Sequence, residues 1–410
     1  MVNGWGETGG SAGGAPGSGA PAWYVRPAAR DWSCAPAPAE VAAFHSGMPE
    51  YKATPLVELS TLAEELGVGR VFVKDESSRL GLPAFKALGA SWAIHRVLSG
   101  RAGEQAGRAG EQADSGGEQA GSGAVCLVTA TDGNHGRAVA RMARLFGARA
   151  HVFVPEGVHP LAADAIAAEG AELTHVADSY DEAVRRASAA ADGDPLAVLV
   201  QDTAWPGYEE IPGWIVEGYS TLFAEIDGQL AAAGVRAPAL VAVPAGVGSL
   251  AQAAVTHHRS RLTGPAPALL AVEPDTAACV LASLVRQEPV TVATGTTTMA
   301  GLNCGTPSHI AWPRLRDGLD AAVAVTDAES AEAARALAAL GIPAGPCGAA
   351  SLAGVRAALT GPGSTERRAA LATGPAATVV LLSTEGAAAN PHAGVSARMP
   401  STPPATGGSG

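Results

Sequence analysis

Aromatic residues make up only 4% of the sequence and charged residues 16%, and no apolar run approaches the roughly eighteen residues that a membrane-spanning helix requires. A membrane role is therefore not expected. Basic residues are scarce as well: 27 Lys and Arg stand against 39 Asp and Glu, for a formal net charge of -12, and the arginines are scattered singly. Such a surface repels a phosphate backbone, which excludes nucleic acid as the partner. Five cysteines (Cys34, Cys126, Cys279, Cys304 and Cys347) lie far apart, with no Cys-x-x-Cys pair and no His at ligand spacing. Neither a metal site nor a disulfide framework follows, and all five thiols are read as free. Residues 1–22 lack the basic start and apolar core of a secretory signal, so the expected compartment is the cytoplasm.

What is present is a globular composition. The 410 residues are 47% hydrophobic, mostly Ala, Val and Leu, enough for two lobes with cores of their own. Segments 1–22 and 393–410 are dominated by Gly, Ala, Ser, Pro and Thr, and are expected to be disordered tails. A third such segment, 100–123, repeats Arg101-Ala-Gly-Glu-Gln-Ala-Gly, Arg108-Ala-Gly-Glu-Gln-Ala-Asp and Ser115-Gly-Gly-Glu-Gln-Ala-Gly. The period is seven, but no large apolar residue recurs to form a seam, so the segment reads as a flexible insertion. Elsewhere short apolar runs alternate with stretches of helical period, the pattern of βα units and a largely parallel sheet. Expected strands are 71–73, 124–129, 150–154, 197–201, 239–243, 269–272 and 378–382. A helix over 136–146 puts Val139, Met142, Ala143 and Phe146 on one face and stops at Gly147.

Four motifs follow expected strands, where ligand sites of such sheets gather. In Ala84-Phe-Lys86-Ala-Leu-Gly a lysine sits among apolar residues at a helix start. Burial and the helix terminus are expected to lower its pKa and make it a nucleophile toward an aldehyde, although a solvated lysine at a helix start is the commoner occurrence. Thr131-Asp-Gly-Asn-His-Gly136 turns tightly and offers the Asn134 amide to a ring oxygen; the plainer reading is a helix cap by Asp132 or Asn134. Ala245-Gly-Val-Gly-Ser249 forms a phosphate cradle from backbone N–H groups at a helix N-terminus, without the lysine of a nucleotide loop. Ser383-Thr-Glu-Gly386 puts two hydroxyls at a strand end, within reach of a ring nitrogen or simply in a turn.

Taken together, in this order and spacing, these motifs resemble the fold-type II pyridoxal phosphate (PLP) enzymes, the tryptophan synthase β-like superfamily. Within it the chain is most similar to the diaminopropionate ammonia-lyases, from about Tyr51 to Glu385 apart from the repeat. Tyr51-Lys-Ala-Thr-Pro-Leu, Val73-Lys-Asp-Glu-Ser, Val200-Gln-Asp-Thr-Ala-Trp205 and Met299-Ala-Gly-Leu-Asn-Cys-Gly305 add to the likeness, with Asp-Gly-Asn-His and Gln-Asp-Thr-Ala-Trp the most specific parts.

The resemblance implies an α/β fold of two lobes, each a mostly parallel twisted sheet flanked by helices. A large PLP-binding domain would comprise 23–88 and 205–392, and a small one 89–204. It implies PLP as cofactor, with Lys86 binding it covalently beside Phe85. Gly246, Val247, Gly248 and Ser249 would hold its phosphate, Asn134 would meet the ring hydroxyl, and Ser383 or Thr384 the ring nitrogen. Asp132 stands where relatives carry a serine base, on the ring face opposite the lysine, and Asp202 matches the family's second carboxylate; without the likeness, Asp202 would read as a cap of the following turn. The implied reaction is α,β-elimination of D- and L-2,3-diaminopropionate to pyruvate and two ammonia, by a homodimer. A serine or threonine ammonia-lyase, or a racemase, would use the same apparatus, whereas a catalytically dead PLP-binding scaffold would not need Lys86, Asp132 and Asp202 together.

Overall fold

The computed structural model describes residues 11–13, 22–131, 133–261 and 265–389, save 114–123; Asp132 and most of both tails lie outside the described residues. Twelve strands are found among them: β1 Ser11–Gly13, β2 Trp23–Val25, β3 Leu56–Glu58, β4 Arg70–Asp75, β5 Cys126–Ala130, β6 Arg149–Pro155, β7 Glu172–Val176, β8 Ala197–Leu199, β9 Leu240–Pro244, β10 Ala268–Pro274, β11 Ala321–Val325 and β12 Thr378–Ser383. They form two sheets. The larger runs β1-β2-β11-β10-β9-β12-β4-β3 and the smaller β7-β6-β5-β8.

The middle of the large sheet, from β11 to β4, is parallel throughout, while β1, β2 and β3 add antiparallel edges. The small sheet is wholly parallel. This agrees with the mixed α/β architecture expected, because parallel strands need helical crossovers that cover both faces. Both faces of β4 are accordingly apolar: Val71 and Val73 pack with the helix Pro346–Leu359 on one side, and Phe72 joins Ala87 and Leu88 on the other. Each of the seven expected strands is present, shifted by a residue or two at its ends.

Two regions differ from expectation. The helix that begins at Lys86 runs on to Ala113, through the first repeat and into the second. Ala, Glu, Gln and Arg are good helix formers, and extending an existing helix avoids the cost of nucleation, so Gly103, Gly107 and Gly110, at about 1 kcal/mol each, do not stop it. Arg101 fastens this stretch by donating to the carbonyls of Pro195 and Ala197, both at 3.1 Å. The other difference is Ser11–Gly13, a strand paired with β2 inside a segment read as a disordered tail.

No helix among the described residues is long and apolar enough to cross a membrane. The five cysteines are free thiols.

Candidate active site

The motifs that the sequence singles out leave the carboxyl ends of five parallel strands: β4 leads to Lys86, β5 to Asn134, β8 to Asp202, β9 to the glycine turn and β12 to Ser383. Strand direction alone therefore brings them toward the same end of their sheets.

Of the three lysines in the chain, only Lys86 is placed for chemistry. Lys52 is exposed, and Lys74 is buried and committed to Glu225 at 2.6 Å, Gln229 at 2.9 Å and the Thr54 carbonyl at 2.8 Å. Glu225 also takes Arg79, at 2.6 Å, in the same buried ionic cluster. Lys86 opens its helix with Nζ 2.5 Å from Oδ2 of Asp202.

This pair corrects one expectation. Burial pulls the Lys86 pKa down, but the Asp202 carboxylate outweighs it and holds the amine above its ordinary range. Asp202 mirrors this: burial raises its carboxyl, yet His135 and Lys86 keep it well below the usual carboxylate range. The pair is thus a buried, charged couple rather than a neutral amine.

Local structure fixes Asp202. The preceding Gln201 side chain extends the pairing of β8 with β5, accepting from the Ala130 N–H at 3.0 Å and donating to the Ala130 carbonyl at 3.1 Å. The Gln201 backbone N–H donates to the Tyr208 hydroxyl at 2.8 Å, which closes the turn behind Asp202. Ser249 donates its hydroxyl to the Asp202 carbonyl at 2.9 Å, coupling the glycine turn to the carboxylate. The Asp202 side chain points to Lys86, and turn capping is not its role.

His135 lies beside the pair. Its Nε2 is 2.8 Å from the Val200 carbonyl, which requires that nitrogen to carry the proton, and Nδ1 is 3.8 Å from Asp202 Oδ2. Burial lowers its pKa and the Asp202 charge only partly opposes this.

Of the two candidate caps, Asp132 lies outside the described residues and Asn134 does not cap the Asn134–Leu145 helix. The Thr131 hydroxyl accepts instead from the N–H groups of Gly133 and Gly136, both at 3.0 Å, leaving the Asn134 amide to donate to Glu385 Oε2 at 2.6 Å.

The glycine turn has the form of a cradle. Gly248 adopts φ 93°, a left-handed conformation that favours glycine, directly before the helix Ser249–Arg259. Among the described residues, no backbone carbonyl accepts from the N–H groups of Gly246, Val247 or Gly248. Three such groups at a helix N-terminus suit an anion. Ser383, at the end of β12, is fully buried with its hydroxyl unpartnered, and the Thr384 carbonyl accepts from Phe85 N–H at 3.1 Å. A donor-rich turn, a lysine and an orphaned buried hydroxyl together fit a phosphorylated aldehyde with a ring heteroatom.

Two members of the site were not anticipated. Tyr219 is fully buried with an unpartnered hydroxyl, its ring centroid 4.8 Å from that of Phe85, and burial pushes its phenol pKa up while Lys86 opposes. Glu385 is likewise buried. No sequence signal separates Tyr219 from an ordinary core tyrosine, whereas Glu385 lies within a motif already singled out.

Comparison with known proteins agrees with the fold and with the cofactor. Residues 48–385 match the family profile described as pyridoxal-phosphate dependent enzyme. The chain is 40% identical over 301 residues to the diaminopropionate ammonia-lyase of Salmonella typhimurium, covering 72% of this chain and 74% of that one. It is 36% identical over 295 residues to the same enzyme of Escherichia coli strain K12, at 72% and 73% coverage. A crystal structure of the Escherichia coli enzyme in complex with an aminoacrylate-PLP azomethine reaction intermediate superposes with a TM-score of 0.76 at 33% identity, covering 86% of this chain and 89% of that one.

Proposed function

The chain belongs to the pyridoxal-phosphate dependent enzymes, and from that premise we propose that it is an ammonia-lyase converting D- and L-2,3-diaminopropionate, with water, to pyruvate and two ammonia. The observation that carries the reading is the Lys86–Asp202 couple at 2.5 Å, a potential attachment point and a potential base side by side. The relatives named diaminopropionate ammonia-lyase, at 36% and 40% identity, support the substrate.

When bound, pyridoxal phosphate supplies an electron-withdrawing ring that makes the α-proton of an attached amino acid removable. Lys86, next to Phe85, would hold its aldehyde carbon. Gly246, Val247, Gly248 and Ser249 would receive the phosphate, Asn134 the ring hydroxyl, and Ser383, whose hydroxyl is free, the ring nitrogen in preference to Thr384.

Asp202, held ionised by its neighbours, is a proton acceptor on the lysine's side, for one enantiomer. Asp132 is proposed for the other; it lies outside the described residues. Each carboxylate also attracts the second ammonium of the substrate, whose nitrogen must leave protonated. The enamine released then hydrolyses to pyruvate and the second ammonia. We further propose a cytoplasmic homodimer, in line with the family resemblance.

The test is pyruvate and ammonia release by purified enzyme from each enantiomer of diaminopropionate, from serine and from threonine. The expected result is a preference for diaminopropionate and two ammonia per pyruvate. Preference for threonine or serine overturns the substrate assignment.

A further inference from the structure

Glu385 joins three parts of the site. Its backbone bridges to Ala84, two residues before Lys86. Its side chain is 3% exposed, with Oε1 accepting from the Cys347 N–H at 3.1 Å, in the first turn of the helix Pro346–Leu359. Oε2 accepts from the Asn134 amide at 2.6 Å, and Asn134 belongs to the helix that follows β5 of the other sheet. Space for this crossing exists because Gly348 has no side chain: a Cβ there would lie 2.7 Å from the Glu385 carbonyl oxygen and 3.0 Å from the Ser383 hydroxyl. Burial raises the Glu385 pKa, while the hydrogen bonds from Cys347 and Asn134 and the Lys86 charge oppose it.

With Oε1 accepting from the Cys347 N–H and Oε2 from Asn134, both carboxyl oxygens act as acceptors, which admits one orientation of the Asn134 amide, nitrogen inward. That nitrogen carries two hydrogens, and Glu385 takes one. We propose that Glu385 is a positioning residue that turns the Asn134 amide so that its second N–H faces the cofactor's ring hydroxyl. This rests on the reading that Asn134 serves that hydroxyl.

The chemistry of a single substitution makes the claim sharp. In Glu385→Gln the new amide has one oxygen and one NH2 group. The Cys347 N–H is backbone and cannot turn, so it captures the oxygen. The NH2 group then meets Asn134, whose amide must turn over and present its oxygen to the ring hydroxyl instead of an N–H. A donor stabilises the ionised hydroxyl and an acceptor does not, so the hydroxyl becomes harder to ionise.

The readout is the pH midpoint of the visible absorption of PLP-loaded enzyme, compared among wild type, Asn134→Ala, Glu385→Gln and the double variant. Glu385→Gln should raise the midpoint by about one pH unit and lower kcat more than it changes KM. The double variant should match Asn134→Ala alone, because Glu385 acts through Asn134. If Asn134→Ala moves the midpoint and Glu385→Gln does not, the proposal is overturned and the placement of the cofactor survives. An unmoved midpoint in Asn134→Ala overturns both. Should Glu385→Gln not yield folded, loaded enzyme, Glu385→Asp keeps the charge but draws its oxygens away from Asn134; a smaller rise is expected, and no rise overturns the proposal.

Discussion

Replacing Asp202 by Asn removes the charge that sits 2.5 Å from the Lys86 amine while keeping the shape of the side chain. At that separation two unit charges attract by about 7 kcal/mol at an effective dielectric constant of about 20. Desolvation of both groups offsets part of this, and breaking such a buried pair from one side costs about 3–5 kcal/mol. With Asp202 neutral, burial dominates the Lys86 amine, whose pKa should fall from above its ordinary range to below it.

The assay is acetylation of the protein freed of cofactor, followed by mass spectrometry across pH, with exposed Lys52 as internal reference. In wild type Lys86 should resist modification until well above the pH at which Lys52 reacts, and in Asp202→Asn it should react first. The stability consequence has a defined window. Asp202, depressed in the fold, contributes above its unfolded pKa of about 3.9; Lys86, raised in the fold, contributes below its unfolded value of about 10.4. The loss in Asp202→Asn should therefore be full near neutral pH and diminish toward both extremes. Identical Lys86 reactivity in the two proteins would refute the reasoning, because the couple would then not control the amine.

The other expectations use independent measurements. Asp202→Asn and Asp132→Asn should each lose activity on opposite enantiomers of diaminopropionate, followed as pyruvate release; equal retention on both removes them as bases. Gly248→Ala puts a Cβ 2.6 Å from Leu315 Cδ1 at a φ of 93°, a strain of about 1–3 kcal/mol. Its PLP affinity by equilibrium dialysis should fall about tenfold or more, since about 1.4 kcal/mol is tenfold. Glu225→Gln strips the anion from Lys74 and one of two carboxylates from Arg79, which keeps Glu76 at 2.6 Å, and should cost about 3–5 kcal/mol in urea unfolding at pH 7. Burial opposes ionisation of Glu225, but Arg79 and Lys74 hold it down to about 2, so its contribution is present above about pH 4.3 and shrinks as pH falls toward 2. The difference from wild type should narrow accordingly.

Strands whose residues are buried on both faces were legible because their runs of Val and Leu are bounded by turns, as in β4, β9 and β12. β11 escaped because Ala321-Ala-Val-Ala-Val is as suited to a helix, and only its place between β2 and β10 makes it extended. β7, Glu-Leu-Thr-His-Val, is an edge strand whose exposed polar residues Glu172 and His175 lie on opposite faces and break the alternation, and β3 is three residues long. The site was legible as motifs, since glycine turns after strands carry their own signal. Its electrostatics were not. Whether Lys86 is held neutral or charged depends on Asp202, 116 residues away in the chain. Likewise, Glu385 could be quoted within a motif, but its grip on Asn134 exists only once β12 and β5 converge.

The central claim, that Lys86 carries the cofactor, has a direct test in a chain with three lysines. Borohydride reduction of PLP-loaded enzyme followed by peptide mass mapping should place the phosphopyridoxyl group on Lys86, and Lys86→Ala should abolish it. Label on Lys52 or Lys74, or a label that survives Lys86→Ala, would contradict the account.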